Sequence, residues 1–310
     1  MITDCHIHIQ PTELFNPGAL AAMKRKRPNF DQICEFCRSP KAFLRHLDAC
    51  GIDRGVLINY VAPEVIGFTP EVNTFIADYV KEDPRRLISC GSLHPRHSTN
   101  FMADVDHLLR LGIRMVKVHP PHQLLYPNDY LHGMKELEIL YRAAEANGVP
   151  VMFHTGTSIF PGARNKFGDP IHVDDVAVDF PRLKIVASHG GGGICETISR
   201  MDYAYELQDE AFFLGPYVPM KIKHKPSHYM KKLYMDTVCY NPPAAKMVLD
   251  WLGADHVLYG SDAPPLTSLK PRAIKLIRDL DIPEPQREAI FWQNAAKLLK
   301  LPIASASKAA

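Results

Sequence analysis

Ile2-Thr3-Asp4-Cys5-His6-Ile7-His8, near the start of a chain of 310 residues, reads as a short strand carrying two histidines one residue apart. Side chains alternate along a strand, so Asp4, His6 and His8 share one face and the two imidazoles can hold one metal ion together. Two nitrogens do not complete a catalytic site, since zinc and similar ions take three protein ligands there and leave one position open. The fold has to bring the remaining ligands to the end of this strand.

Outward from it, apolar runs of strand length alternate with segments of helical spacing. Strands are expected over 55–60, 87–93, 113–118, 149–154, 183–188, 233–237 and 256–260, and helices over 40–50, 70–82, 99–111, 132–147, 242–252 and 285–299. Eight short buried strands separated by helices imply parallel βαβ units, and eight strands close a barrel. The fold class is therefore α/β, a (β/α)8 TIM barrel with an insertion after the first strand. An open doubly wound sheet is the alternative, but no Gly-x-Gly-x-x-Gly follows strand one. Residues 10–38 show clusters of Pro, Asn, Lys and Arg without a clean period and read as that insertion, placed to cover the site. Residues 1–300 make one domain, and 301–310 read as a disordered tail.

Composition narrows the function. The chain is 46% hydrophobic and 23% charged, enough for a sizeable core. With 36 basic against 34 acidic residues the net charge is only +2, which gives no footprint for nucleic acid or an anionic membrane. No apolar run reaches the length of a membrane span. A small-molecule site fits this balance. Seven scattered cysteines, an odd number, argue against a disulfide scaffold and for a soluble cytoplasmic protein. The Cys34-x-x-Cys37 pair has no second pair at finger spacing and reads as two free thiols.

A TIM barrel builds its active site at the carboxyl ends of its strands. Those ends carry His6 and His8 on strand one, Lys117 and His119 on strand four, His154 on strand five, His189 on strand six and Asp262 after strand eight. One histidine after a strand is usually a loop or core residue, but several in register point to a shared site. His6, His8 and His154 offer three nitrogens, and Asp262 an oxygen ligand or an acceptor for a proton from metal-bound water. The set suits Zn(II), while ligand type leaves Fe(II), Mn(II) and Co(II) open. His189 is then free to act as general acid and base. The glycines 190–193 behind it allow either close approach of backbone to substrate or a plain strand-to-helix turn.

The motifs DCHIHI (4–9), MFHTG (152–156), ASHGGGG (187–193), KPSHYMKKLYMDT (225–237), GADHVLYGSDAPP (253–265) and NAAKLL (294–299) resemble the amidohydrolase superfamily over nearly the whole chain. Within it the chain is similar to the branch of aminocarboxymuconate-semialdehyde decarboxylase-like enzymes. The resemblance implies one divalent metal held by His6, His8, His154 and Asp262, with His189 as catalytic acid/base. Arg200 falls where such decarboxylases keep an arginine that binds a substrate carboxylate across a dimer interface, which implies a homodimer. A second such arginine lies in the helix before strand two of those enzymes; here Phe43 stands at that position and Arg45 two residues on. Strand four reads VKVHPPHQ, as in uncharacterised members of the branch. In binuclear relatives a carboxylated lysine bridges two ions, but the resemblance to the decarboxylases favours one ion, with Lys117 and His119 left to contact substrate.

The favoured reading is a non-oxidative decarboxylase of a small unsaturated or aromatic acid. Hydrolysis of a lactone, ester or amide on the same site is the alternative, and a metal-holding protein without turnover is a third.

Overall fold

Eight parallel strands follow one another in chain order: β1 (Thr3–His8), β2 (Arg54–Ile58), β3 (Leu87–Gly91), β4 (Met115–Val118), β5 (Val151–Phe153), β6 (Ile185–Ala187), β7 (Tyr234–Asp236) and β8 (Val257–Leu258). The computed structural model describes residues 1–25, 27–207, 222–264 and 270–302. The chain leaving β8 runs parallel to β1 and bonds to it. The amide of Cys5 donates to Tyr259 O at 2.9 Å, that of Asp262 to His6 O at 2.8 Å and that of His8 to Ala263 O at 2.6 Å. The result is the (β/α)8 TIM barrel that the alternation of elements predicts.

Helices α1 (Pro17–Lys24), α2 (Phe30–Arg38) and α3 (Pro40–Ala49) lie between the first two strands. Then come α4 (Glu71–Tyr79), α5 (Phe101–Arg110), the short α6 (Pro120–Gln123), α7 (Lys135–Asn147), α8 (His172–Asp179) and α9 (Ile194–Glu206). The last are α10 (Pro226–Met230), α11 (Pro242–Leu252), α12 (Lys270–Asp279), α13 (Glu284–Glu288) and α14 (Asn294–Leu299). No helix among the described residues is long and apolar enough to cross a membrane.

Both faces of the strands are buried, which is why they read as unbroken apolar runs. Val56, Ile58, Ile88, Cys90, Met115, Met152, Val186 and Leu258 pack together inside the barrel. Their neighbours Leu57, Leu87, Val116, Val151, Ile185 and Val257 pack outward against helices, with Leu47, Ile76, Leu108 and Leu140. Two residues beyond Met115, Met152, Val186 and Tyr234 along this inward series stand Lys117, His154, Ser188 and Asp236, so the sequence period itself delivers polar groups to the barrel mouth.

β1 departs from strict alternation. Cys5 packs in the inner set and Ile7 in the outer one, and the pairing Asp4 with Gly55 is followed by Ile7 with Leu57, an irregular register of the β-bulge kind. The expectation that Asp4 joins His6 and His8 is therefore corrected. Its Oδ1 accepts the amides of His6 (3.0 Å) and Ser261 (3.1 Å), while the rings of His6 and His8 stay together, centroids 5.2 Å apart.

Residues 10–38 hold more structure than their sequence suggests. α1 starts on Pro17, with Asn16 Oδ1 accepting the Ala19 amide at 2.8 Å, a helix N-cap. α2 buries Ile33, Phe36 and Cys37 in the outer core. Cys34 and Cys37 are free, and burial pushes the Cys37 thiol up to about 12. At the other end, Leu301 is buried and Pro302 O accepts Arg54 Nη2 at 2.7 Å. Residues 301 and 302 of the expected tail are therefore held against the barrel, and 303–310 lie outside the described residues.

Candidate active site

The carboxyl ends of β1, β5, β6, β7 and the chain after β8 converge on one cluster of imidazoles and carboxylates. Asp236, at the end of β7, is buried beneath it. Its Oδ2 lies 2.7 Å from His6 Nδ1, and its Oδ1 accepts the amides of His189 (2.7 Å) and Val238 (3.1 Å). Burial alone would raise this carboxyl, but His6 and these N–H donors outweigh it and hold Asp236 below the usual carboxylate range. In His6 burial wins instead, lowering its pKa to about 4 in spite of Asp236. Its Nδ1–H therefore donates to Asp236, and Nε2 is left with a lone pair.

That lone pair faces Asp262. His6 Nε2 lies 3.6 Å and His8 Nε2 3.0 Å from Asp262 Oδ1. Asp262 sits in a left-handed backbone conformation (φ 54°), as do His189 (φ 57°) and Tyr240 (φ 52°) nearby; such residues are uncommon outside glycine and collect at functional sites. Gly260 makes the approach of β8 to β1 possible, since a Cβ there would stand 2.9 Å from His6 Cβ. Burial works against the charge on Asp262, but His6, His8 and His189 together lower its pKa.

The donor atoms of His6, His189 and Asp262 all lie within 4.8 Å of one another. His154, assigned from sequence as the third imidazole ligand, stands next to this trio, with its Nδ1 3.0 Å from His189 Nε2. Val238 O, which can only accept, lies 3.3 Å from His189 Nδ1. With one proton on His189, that proton is on Nδ1, Nε2 accepts from His154 Nδ1–H, and His154 Nε2 keeps its lone pair. This Nε2 is buried without a hydrogen-bond partner. Lone pairs on His6 and His154, a second imidazole on β1 and a charged Asp262 fit a divalent metal.

Above the cluster opens a cavity of about 240 Å³ floored by His8, His154, His189 and Asp262. Its walls are largely apolar or aromatic: Met23, Tyr60, Ile66, Ile159, Phe160 and Tyr240. Met23 and Arg27 come from the segment read as covering the site. Arg27 forms no ion pair among the described residues and places Nη1 3.3 Å from Met23 Sδ. One wall is a stack of imidazoles, with His119 4.1 Å from His154 and 3.8 Å from His122 between ring centroids. Burial lowers His122 to about 3 and His119 well below its ordinary value, so both are neutral at pH 7. His122 is fixed by Tyr60 Oη (3.1 Å) and Ser158 Oγ (2.8 Å).

Several sequence assignments stand elsewhere. Lys117 does not line the cavity; it is wholly buried, with Nζ donating to Ser188 Oγ at 3.1 Å, and burial lowers its pKa to about 8. Arg200 is exposed on α9 and does not line the cavity, nor do Phe43, in the core, and exposed Arg45. Glycines 190–193 form the turn from β6 to α9, and close packing accounts for two of them: a Cβ on Gly191 would meet Met235 Sδ at 2.7 Å, and one on Gly192 the Gly156 amide nitrogen at 2.5 Å. Asp236 was legible as a polar residue at a predicted strand end, whereas no local signal marked Arg27 or Tyr60.

An eight-stranded βα barrel with imidazole and carboxylate donors gathered at its carboxyl mouth defines a class of TIM-barrel proteins built to hold a metal beside a substrate pocket. The chain belongs to the amidohydrolase family, whose model matches residues 3–301. It is 23% identical over 305 residues to 2-amino-3-carboxymuconate-6-semialdehyde decarboxylase of Dictyostelium discoideum, covering 88% of this chain and 79% of that protein. Its fold matches 5-carboxyvanillate decarboxylase of Novosphingobium aromaticivorans, solved with manganese and a nitrobenzoic acid (TM-score 0.75, 18% identity, 97% of this chain and 96% of that one). It also matches dihydroxybenzoic acid decarboxylase of Polaromonas, solved with manganese and 2-nitroresorcinol (TM-score 0.74, 19% identity, 98% of each chain).

Proposed function

We propose that this protein is a metal-dependent carboxy-lyase that removes carboxylate from a small aromatic or unsaturated acid. The observation that carries the reading is the cavity itself, with aromatic and aliphatic walls for a flat ring, the cation Arg27 on its lining, and His189 on its floor. The names of the similar decarboxylases support the reaction type.

His6, His8, His154 and Asp262 would hold the ion, with Zn(II) suited to the donors and manganese present in similar structures. When bound, the ion supplies Lewis-acid polarisation of a substrate oxygen. The remaining work falls to the chain. Arg27 orients the acid through its planar guanidinium. Tyr60 and Phe160 hold the ring and exclude water. His189 keeps its Nδ1 proton on Val238 O, so Nε2, unprotonated in the neutral ring, is the position that takes up a proton from solvent and delivers it to the carbon from which carbon dioxide departs. His119 contributes a neutral wall to the pocket. Lys117 bears on the reaction from below, through Ser188.

Exposed Arg200 fits this scheme as a contact to the pocket of a second copy, and we assign the protein as a homodimer on that basis, to be tested by sedimentation. Seven free cysteines support a reducing, cytoplasmic setting. The 1–300 unit, with 10–38 as its cap, is the functional domain.

Metal-loaded protein incubated with hydroxylated benzoic acids should release carbon dioxide. His189→Ala should abolish release while keeping the bound metal, and Arg27→Ala should raise KM about tenfold, the loss of roughly one charge-assisted contact. Cleavage of lactones or esters without carbon dioxide from any acid would replace this reading with the hydrolytic one.

A further inference from the structure

We propose that Glu64, His94 and His97 form a second divalent transition-metal site, on loops at the rim of the barrel mouth and sharing no ligand with the imidazole cluster. Glu64 lies in the loop after β2, between Ala62 and Phe68, which pair across it. His94 and His97 follow β3, where Pro95 starts a single tight turn, Pro95–His97, that brings the two histidines to one side. The donor atoms of all three residues lie within 4.8 Å of one another. His97 Nε2 is 2.7 Å from Glu64 Oε1, and His94 Nε2 is 3.9 Å from Glu64 Oε2.

His94 is what separates this trio from an ordinary surface ion pair. Its side chain is wholly buried, and its Nε2 has no hydrogen-bond partner. A buried polar atom left so is destabilising, and a carboxylate at 3.9 Å is beyond hydrogen-bond reach. Glu64 and His97 remain partly exposed and give an ion a path from solvent. Two imidazoles and a carboxylate are a set that binds Zn(II) or Co(II) and leaves a further position for water.

The proton balance is simple. Burial lowers His94 to about 4, so the ring is neutral at pH 7. Its Nδ1 accepts the Arg96 amide at 3.3 Å, which places the ring proton on Nε2. Coordination through Nε2 moves that proton to Nδ1 and gives up the Arg96 amide contact, the long bond of the group. Arg96 holds the carbonyls of Gln123 (2.6 Å) and Leu124 (3.1 Å) through its guanidinium. An ion here would therefore tie the loops after β2 and β3 to the segment carrying His122, a wall of the substrate cavity.

The test is Zn(II) stoichiometry by equilibrium dialysis of the full chain, with Co(II) absorption as a second reading. Wild type should hold one more equivalent than His97→Ala or Glu64→Gln, both surface substitutions whose folding is checked by Tm. The Co(II) difference spectrum between wild type and either variant should carry the bands of a low-coordinate site. In wild type alone, Zn(II) beyond the first equivalent should change hydrogen exchange in the 94–97 segment. Equal stoichiometry and equal Co(II) spectra in wild type and both variants would overturn the proposal.

Discussion

Asp236 sets the orientation of the imidazole cluster through two oxygens and three N–H groups: His6 Nδ1–H on one oxygen, the amides of His189 and Val238 on the other. An asparagine has nearly the same shape but offers one acceptor and one donor, so either His6 or the two amides lose their partner. Asp236→Asn should weaken metal binding about 10–100-fold, the usual cost of losing such a support. Chelator competition measures it, and unchanged affinity would remove Asp236 from this role. The residue was open to the same strand-end reasoning that found His154 and His189, but no histidine pattern surrounds it. Arg27 was hidden for a different reason. It stands in a stretch with several cations, and only the packing of α1 beside Tyr60 and Ile66 brings it to the cavity.

At the scale of elements, the turn after β6 is a tightly constrained piece of backbone. Gly192 has φ 61°, and a Cβ there would stand 2.5 Å from the Gly156 amide nitrogen and 2.8 Å from Thr155 C, both backbone atoms with little freedom to yield. Gly192→Ala should cost about 2–4 kcal/mol by combining left-handed strain with overpacking. Because the same turn positions His189 against His154, turnover should fall with stability. Denaturant unfolding checks the first effect, and a loss within ~0.5 kcal/mol would show that the β5 loop yields. All eight strands were legible because their two buried faces leave continuous apolar runs between polar helix surfaces. The bulge in β1 was not, since it arises from the pairing of β1 with β2 and β8. α1 was missed because its eight residues carry little amphipathic period, and α2, which does carry one, because its nine residues sit between Pro28 and Pro40 in a stretch crowded with turn formers and cations.

Over the whole molecule, a net charge of only +2 leaves pH-dependent stability to a few buried groups. His122, lowered to about 3 by burial, stays neutral in the fold while the unfolded chain takes up its proton near 6.5. Stability from this group is present above 6.5 and is lost as pH falls towards 3. Asp174 on α8 works in the opposite direction. Burial, then Asp175 and Asp202, raise its pKa from 3.8 to about 7, and its Oδ1 has no hydrogen-bond partner. Between those values the fold holds a proton that the unfolded chain has lost, so Asp174 makes stability fall as pH rises from about 4 to about 7. Asp174→Asn keeps the shape of the protonated acid and removes the titration. The variant should therefore match wild type near pH 4 and exceed it at pH 8, with a gain in Tm of about 5 °C or more. Thermal unfolding of both proteins across that range measures the difference, and a gap that does not widen with pH would show that Asp174 is charged in the folded protein.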